Sequence, residues 1–294
     1  MIKYKIYKIM KKVVGGKGLT KYSSIKEFKQ NVEDGAHSEY VIINDNKLYL
    51  DSSDSLRLSV KKEFEPQTTD LIQKNIFSGN IVVDIGANIG FFTLIMANNV
   101  KKEGKVFSFE PELENYKLLE KNVKENNLEN IILENKAVGN KNGNTEMYLA
   151  SQENNIYSQS MHRIFSSKIV SQNSTPITIK IIKLDDFFEK LDLIEKIDLI
   201  KIDVEGAEFD VLKGMNKILD SNKDLKIIME FSLENLQDFG SKPGEVVDFL
   251  LKKNFKLWKI NENEKKLDEI FNIEDIKKLD DERNGLNIFC QRDQ

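Results

Sequence analysis

The stretch VVDIGANIGFFTL, residues 82–94, decides how the chain folds. Its first half is an apolar, β-branched run that reads as a short buried strand over 81–85. Asp84 stands near the end of that strand. Gly86 and Gly90 then frame a tight turn, and Phe91 opens a breaker-free segment that reads as a helix. A glycine there lets the backbone approach a ligand more closely than a Cβ would allow; the plainer alternative is a turn used only for strand–helix packing. Outward from this stretch the pattern repeats. Residues 106–109 read as a strand, followed by Leu113, Tyr116, Leu119 and Val123 at helical spacing. Further strands are predicted at 131–138, 198–202, 227–231, 255–260 and 286–290, the last two pairing antiparallel. Strand–helix alternation of this length predicts an α/β fold, a mostly parallel sheet with helices on both faces. Ligands bind such sheets beyond the carboxyl ends of the strands, where the strand order reverses.

Spacing and charge separate the possible ligands. The dinucleotide fingerprint G-x-G-x-x-G is not met, because Asn88 stands at its second glycine and the last glycine comes one position early. No phosphate loop of the form G-x-x-x-x-G-K-[ST] is present. Asp84, directly before the turn, repels a pyrophosphate but suits a ligand carrying an ammonium and a sulfonium. S-adenosylmethionine is such a ligand. Its amine is expected near Asp84, and its carboxylate on backbone N–H groups of the turn at Gly86, Ala87, Asn88 and Gly90. KVFSFEP, residues 105–111, ends a second strand in Glu110 before Pro111. An acid at that place can accept both ribose hydroxyls. Ala137, near the expected end of the third strand, is a positional candidate for flanking the adenine.

Taken in order, DIGANIGFFTL, VFSFEPELENYKLLEKNV, AVGN (137–140), LDDF (184–187), DLIKIDVEGAEFDVLKG (198–214) and IIMEFS (227–232) resemble the successive blocks of FkbM-type methyltransferases. The similarity runs from about residue 50 to 292 and leaves residues 1–40 uncovered. The resemblance implies a Rossmann-like class I methyltransferase fold with a seven-stranded sheet. It also implies O-methylation, with sugar, glycan or secondary-metabolite hydroxyls as acceptors.

Methyl transfer from a sulfonium is an in-line displacement, so alignment of the acceptor oxygen dominates catalysis. A protonated alcohol is a poor nucleophile and needs a base or a metal. Asp203 and Glu205, ending the fourth strand, are the catalytic candidates, acting as a base or holding a divalent cation through oxygen ligands. The plainer role for Glu205 and Glu208 is to cap a helix start. Glu230, ending the fifth strand, ranks second. His162 lies in the polar insertion 151–174, whose Asn154, Ser158 and Ser160 could face a sugar. Trp258 and Cys290 read as core residues.

Composition narrows the rest. With 44 basic against 48 acidic side chains, the net charge of −4 carries no footprint for nucleic acid. One cysteine and two histidines exclude both an intramolecular disulfide and a Cys/His zinc site. Residues 1–14 are basic, but lysines interrupt the apolar run of about seven that a secretory signal needs. They read as a helix packing on its own domain or resting weakly on an anionic membrane surface. The expected location is the cytoplasm, peripheral to the inner membrane face in the second case. A β-hairpin over 40–50, its turn at Asn44, Asp45 and Asn46, with a further β segment at 56–60, gives an appendage at 1–66 before a cofactor-binding domain at 67–294. A methyltransferase-like binding module without chemistry is the rival from another class; the intact Asp84, Gly86, Gly90 and Glu110 oppose it. The sequence sets no oligomeric state.

Overall fold

The structure is a computed structural model that describes residues 38–61, 63–148, 176–279 and 286–292. The basic stretch 1–14 and the insertion 151–174, with Asn154, Ser158, Ser160 and His162, lie outside the described residues. Two compact units divide between Phe64 and Glu65.

In the first unit, β1 (Tyr40–Ile43) and β2 (Asn46–Tyr49) pair antiparallel with Tyr40 opposite Tyr49. Asn44 and Asp45 between them both take left-handed backbone, with φ of 46° and 67°. Two such residues make the turn whose twist suits a hairpin, and Asn and Asp tolerate it best after glycine. The β segment expected at 56–60 is corrected: Leu58–Lys61 forms a short helix, α1. The Asp54 carboxylate accepts the amides of Leu58 at 2.8 Å and Ser59 at 2.9 Å, capping a helical turn against the β propensity of the run.

The second unit opens with α2 (Pro66–Asn75) and continues through β3 (Ile81–Ile85), α3 (Phe91–Val100), β4 (Lys105–Phe109), α4 (Leu113–Glu125) and β5 (Ile131–Glu134). There follow β6 (Ala137–Val138), β7 (Gly143–Met147), β8 (Ile177–Ile182), α5 (Leu184–Lys190), β9 (Leu199–Ile202), α6 (Glu208–Gly214), α7 (Asn216–Ser221) and β10 (Lys226–Phe231). The chain then runs through α8 (Leu233–Asp238), α9 (Pro243–Lys252), β11 (Lys256–Asn261), β12 (Lys266–Ile270), α10 (Ile273–Leu279) and β13 (Leu286–Gln291).

The main sheet has the order β12-β11-β13-β10-β9-β3-β4-β5. β10, β9, β3, β4 and β5 pair parallel. β13 runs antiparallel to both β10 and β11, so β11 shares the direction of the parallel set. The implied seven strands are all present, and β12 adds an eighth at the edge beyond β11. The expected third strand is also corrected. It stops at Glu134, and Ala137 and Val138 enter a separate sheet of order β6-β8-β7.

From β3 the chain steps outward to β4 and β5, and later returns beside β3 as β9 before stepping the other way to β10. Right-handed crossovers in opposite directions place their helices on opposite faces. α3 is buried along almost its whole length, from Phe91 to Val100, and its apolar surface all round suits that place. Val83, Ile85, Phe107, Phe109, Ile200 and Ile202 fill the core beneath the strand ends. Trp258 is half-buried on β11 against Phe289, and Cys290 is buried.

Candidate active site

Register lines up the chemistry. Ile85 pairs with both Phe109 and Ile202, and Ile202 pairs with Met229. Gly86, Glu110, Asp203 and Glu230 each come one residue later. Four strand ends therefore present one row at the carboxyl edge, across the point where strand order reverses.

The turn after β3 is built for close approach. Gly86, Asn88 and Gly90 have φ of 80°, 49° and 97°. A Cβ on Gly86 would lie 1.8 Å from the Asp203 carbonyl oxygen, and one on Gly90 would lie 2.6 Å from Leu119 Cδ1. Both crowding atoms belong to the protein, so the glycines serve packing between strand ends and helix. The amides of Gly86 and Ala87 donate to the Phe109 carbonyl, each at 3.0 Å, which ties the turn to the end of β4.

Glu110 is buried and held by two amides: Asn88 N–H donates to Oε2 at 2.8 Å, and Glu112 N–H donates to Oε1 at 2.9 Å. Burial raises its pKa to about 7 against the lowering effect of those amides, with Glu112 and Asp84 adding to the rise. Asn135 Nδ2 donates to the carbonyls of Glu110 and Pro111, fixing the strand end. Asp84 is wholly buried beneath the turn. Its Oδ2 accepts from the Thr93 hydroxyl at 2.6 Å, while Oδ1 has no hydrogen-bond partner. Burial raises its pKa, opposed by Lys201 and Thr93. Ala137 is buried on β6, paired with Ile181, in the small sheet.

On the other side of the switch point the charges crowd. Asp203 N–H donates to the Ile85 carbonyl at 3.0 Å, and Asp203 Oδ2 accepts from Lys201 Nζ at 2.9 Å. Lys201 is buried, with its Nζ 4.6 Å from the centre of the Phe92 ring. Burial alone would lower its pKa, but Asp203, Asp84 and Glu65 outweigh that and hold it above the usual lysine range. Glu205 takes left-handed backbone, φ 55°, and its Oε2 accepts from Asn235 Nδ2 at 3.0 Å. Glu208 Oε1 accepts the amides of Val204 and Gly206, lacing the loop together; these are loop amides, and the helix start itself has no side-chain cap. One carboxylate oxygen from each of Asp203, Glu205 and Glu230 lies within 4.8 Å of the others. Burial and then the charges of Glu205, Asp203, Glu208 and Glu65 push the Glu230 pKa well up. Burial, followed by Asp203, likewise raises Glu65 to about 7.

Sequence reading passed over Lys201 and Glu65. A lysine inside the otherwise apolar LIKI of β9 was a usable signal, since a lysine is almost never fully buried without a partner. Glu65 offered none, because only the tertiary fold brings it towards Asp203.

A parallel sheet that reverses order beside β3, with a glycine turn after that strand and an acid after the next, defines the class I S-adenosylmethionine-dependent methyltransferase fold. Within that class the chain belongs to the FkbM methyltransferases: the Methyltransferase FkbM domain matches residues 84–257. It is similar to Methyltransferase 1 of Beauveria bassiana (strain ARSEF 2860), 25% identical over 149 residues that cover 47% of this chain and 59% of that one. It is also similar to Methyltransferase sdnD of Sordaria araneosa, 27% identical over 165 residues, 49% of this chain and 63% of that one. The match thus spans about three fifths of these relatives' own length. Among solved structures, the FkbM methyltransferase of Methylobacillus flagellatus KT is 14% identical with a TM-score of 0.41, covering 83% of this chain and 56% of that one. Among the described residues, no helix is long and apolar enough to cross a membrane.

Proposed function

We propose that this chain transfers a methyl group from S-adenosylmethionine to a hydroxyl of a sugar, glycan or secondary metabolite. The observation that carries this reading is the row of Gly86, Glu110, Asp203 and Glu230 one residue past the parallel register, within an FkbM domain. The donor set suits the ligand. Glu110 is fixed by two amides and retains lone pairs for a pair of ribose hydroxyls. Asp84, with one unpartnered oxygen beneath the turn, gives that end of the site a negative field for an ammonium and a sulfonium. The amides of Gly86, Ala87, Asn88 and Gly90 are already bonded to Phe109, Glu110 and Ala87 within the protein, which corrects the expectation that they seat the carboxylate. Pro111 closes the ribose side, and Ala137 is assigned to the adenine side.

S-adenosylmethionine supplies the methyl carbon: its bond to sulfur breaks with the electron pair on sulfur as a bond to the acceptor oxygen forms. The hydroxyl proton must leave, and Asp203 and Glu205 are the groups assigned to take it or to hold a divalent cation that would lower its pKa. The negative net charge favours a neutral small-molecule or glycan acceptor over nucleic acid.

The test is a screen of glycans and hydroxylated metabolites with isotopically labelled methyl donor, alongside calorimetry with S-adenosylhomocysteine. Micromolar binding and label in an ether linkage are expected. Label on nitrogen or carbon alone would replace the acceptor assignment. Binding with no transfer to any acceptor would favour a binding module.

A further inference from the structure

We propose that Asp203, Glu205 and Glu230 together hold one divalent, oxygen-preferring cation on which the acceptor hydroxyl is seated. The acceptor's part in this rests on the methyl-transfer reading; the cation site does not.

The first observation is geometric. The three carboxylates come from two adjacent strand ends and the loop after β9, and their ligand atoms all lie within 4.8 Å of one another. Oxygens on opposite sides of a magnesium or calcium ion stand about 4–5 Å apart, so one ion fits among them without rebuilding the backbone. An all-carboxylate set of hard oxygens selects magnesium, manganese or calcium over zinc or copper.

The second observation is independent of the cluster's shape. Glu230 is half-buried, and its Oε2 is shielded from water and without a hydrogen-bond partner among the described residues. Glu208, 1% exposed behind the same loop, likewise leaves its Oε2 without a partner. Proteins seldom leave buried carboxylate oxygens in this state, since an uncompensated buried charge costs several kcal/mol. A cation would supply both the missing partner and the counter-charge, and Lys201 does not supply them to Glu230: its hydrogen bond goes to Asp203 Oδ2.

The bonds already made suit ligation. Lys201 holds one oxygen of Asp203 and Asn235 holds one oxygen of Glu205. Such outer contacts orient metal-ligating carboxylates and fix the direction of their lone pairs. Glu205 itself sits in left-handed backbone, and Gly206 follows at φ 113°, where a Cβ would lie 2.6 Å from the Asn235 carbonyl oxygen. This conformation, costly for a glutamate, is the one in which its carboxylate lies with those of Asp203 and Glu230. A cation there would bind an acceptor hydroxyl as a further oxygen ligand and lower its pKa, and the displaced proton would pass to a carboxylate oxygen or to water.

The experiment uses the full chain, stripped with chelator and titrated with Mn2+ by calorimetry and electron paramagnetic resonance, without any methyl donor. One Mn2+ per chain is expected, displaced by Mg2+ or Ca2+, together with a Mn2+-dependent rise in melting temperature. Glu230→Gln and, independently, Glu205→Gln should each weaken Mn2+ binding at least tenfold. Either variant serves if the other fails to fold. S-adenosylhomocysteine affinity should stay within threefold in both. Absence of Mn2+, Mg2+ and Ca2+ binding at millimolar concentration overturns the proposal, as does Mn2+ binding that both variants retain. Cofactor binding without metal binding removes the cation site alone; metal binding without cofactor binding removes the methyl-transfer reading alone.

Discussion

Glu110 and Glu230 each come one residue past the parallel register on the same carboxyl edge, Glu230 still paired with Asn287 of β13, yet their surroundings are opposite. Glu110 receives an amide on each oxygen, from Asn88 and Glu112. Glu230 leaves Oε2 without a partner and faces the charges of Glu205, Asp203, Glu208 and Glu65. The Glu110 carboxylate is thus held by backbone amides in the geometry the proposed ribose contact calls for, although Asp84 beneath the same turn leaves Oδ1 without a partner. On the β9–β10 side, among the described residues, the acids of Asp203, Glu205 and Glu230 crowd together, and there the proposed cation would sit. Binding and chemistry should therefore separate cleanly by mutation.

The largest expected break is on the β9–β10 side. Asp203→Asn should slow methyl transfer by about a hundred- to ten-thousand-fold, the usual cost of losing a general base. S-adenosylhomocysteine affinity should change by less than about threefold. The melting temperature should fall as well, because buried Lys201 loses its nearest counter-charge. Turnover at the parental rate in both Asp203→Asn and Glu205→Gln would make these acids loop fixtures, and a base would then be sought at Glu230 or His162.

Next comes the residue at which the two halves touch. Gly86→Ala places a methyl group against the Asp203 carbonyl at a left-handed backbone position. The backbone must shift, at a cost of about 2–4 kcal/mol of stability. Urea denaturation should show an earlier midpoint, and both cofactor affinity and turnover should suffer together. A variant as stable as the parent would show that the two strand ends are less closely coupled than their packing indicates.

Glu110→Ala should cost less and only in binding: about 1.5–3 kcal/mol, or roughly ten- to more than a hundred-fold in S-adenosylhomocysteine affinity. The apo melting temperature should move little, because the variant also relieves a costly buried carboxylate. An unchanged affinity with early unfolding would make Glu110 a brace for the Asn88 turn instead of a ribose acceptor.

What the sequence disclosed follows the same division. The parallel strands, the antiparallel last pair and the glycine turn were legible because apolar period and backbone punctuation are local properties. The helix at Leu58–Lys61 was not, since Asp54 caps it through two specific amides that outweigh a β-prone run. Nor was the end of β5: residues 131–138 read as continuous, and only pairing with β8 removes Ala137 and Val138 to a second sheet. Asp203 and Glu205 were visible as acids at a strand end. Their company was not, because the environment of Lys201, Glu65 and Glu230 depends on which strands become neighbours.

The smallest predicted effect is a pH dependence that belongs to the β3–β4 side. Burial raises the Glu110 pKa to about 7, against an ordinary glutamate value of 4.5. The folded apo protein therefore binds a proton there that the unfolded chain has already lost, and this group's contribution to stability declines as pH rises from about 4.5 through 7. Ligand binding runs the other way. On the proposed ribose contact, two hydroxyls donate to a carboxylate, so the ionised form is the binding form and the complex should release a proton. Between pH 6 and pH 8 the ionised fraction of a group near 7 rises about tenfold, and S-adenosylhomocysteine affinity should rise by about the same factor. Asp84 and Glu112 are the other acids beside Glu110, and both remain in Glu110→Gln, which should flatten the profile if Glu110 is its source. Calorimetry in buffers of different ionisation enthalpy counts the released proton directly. A profile of the same slope in Glu110→Gln would move the titration to Asp84, leaving Glu110 ionised at neutral pH and the two halves of the edge more alike than their hydrogen bonds suggest.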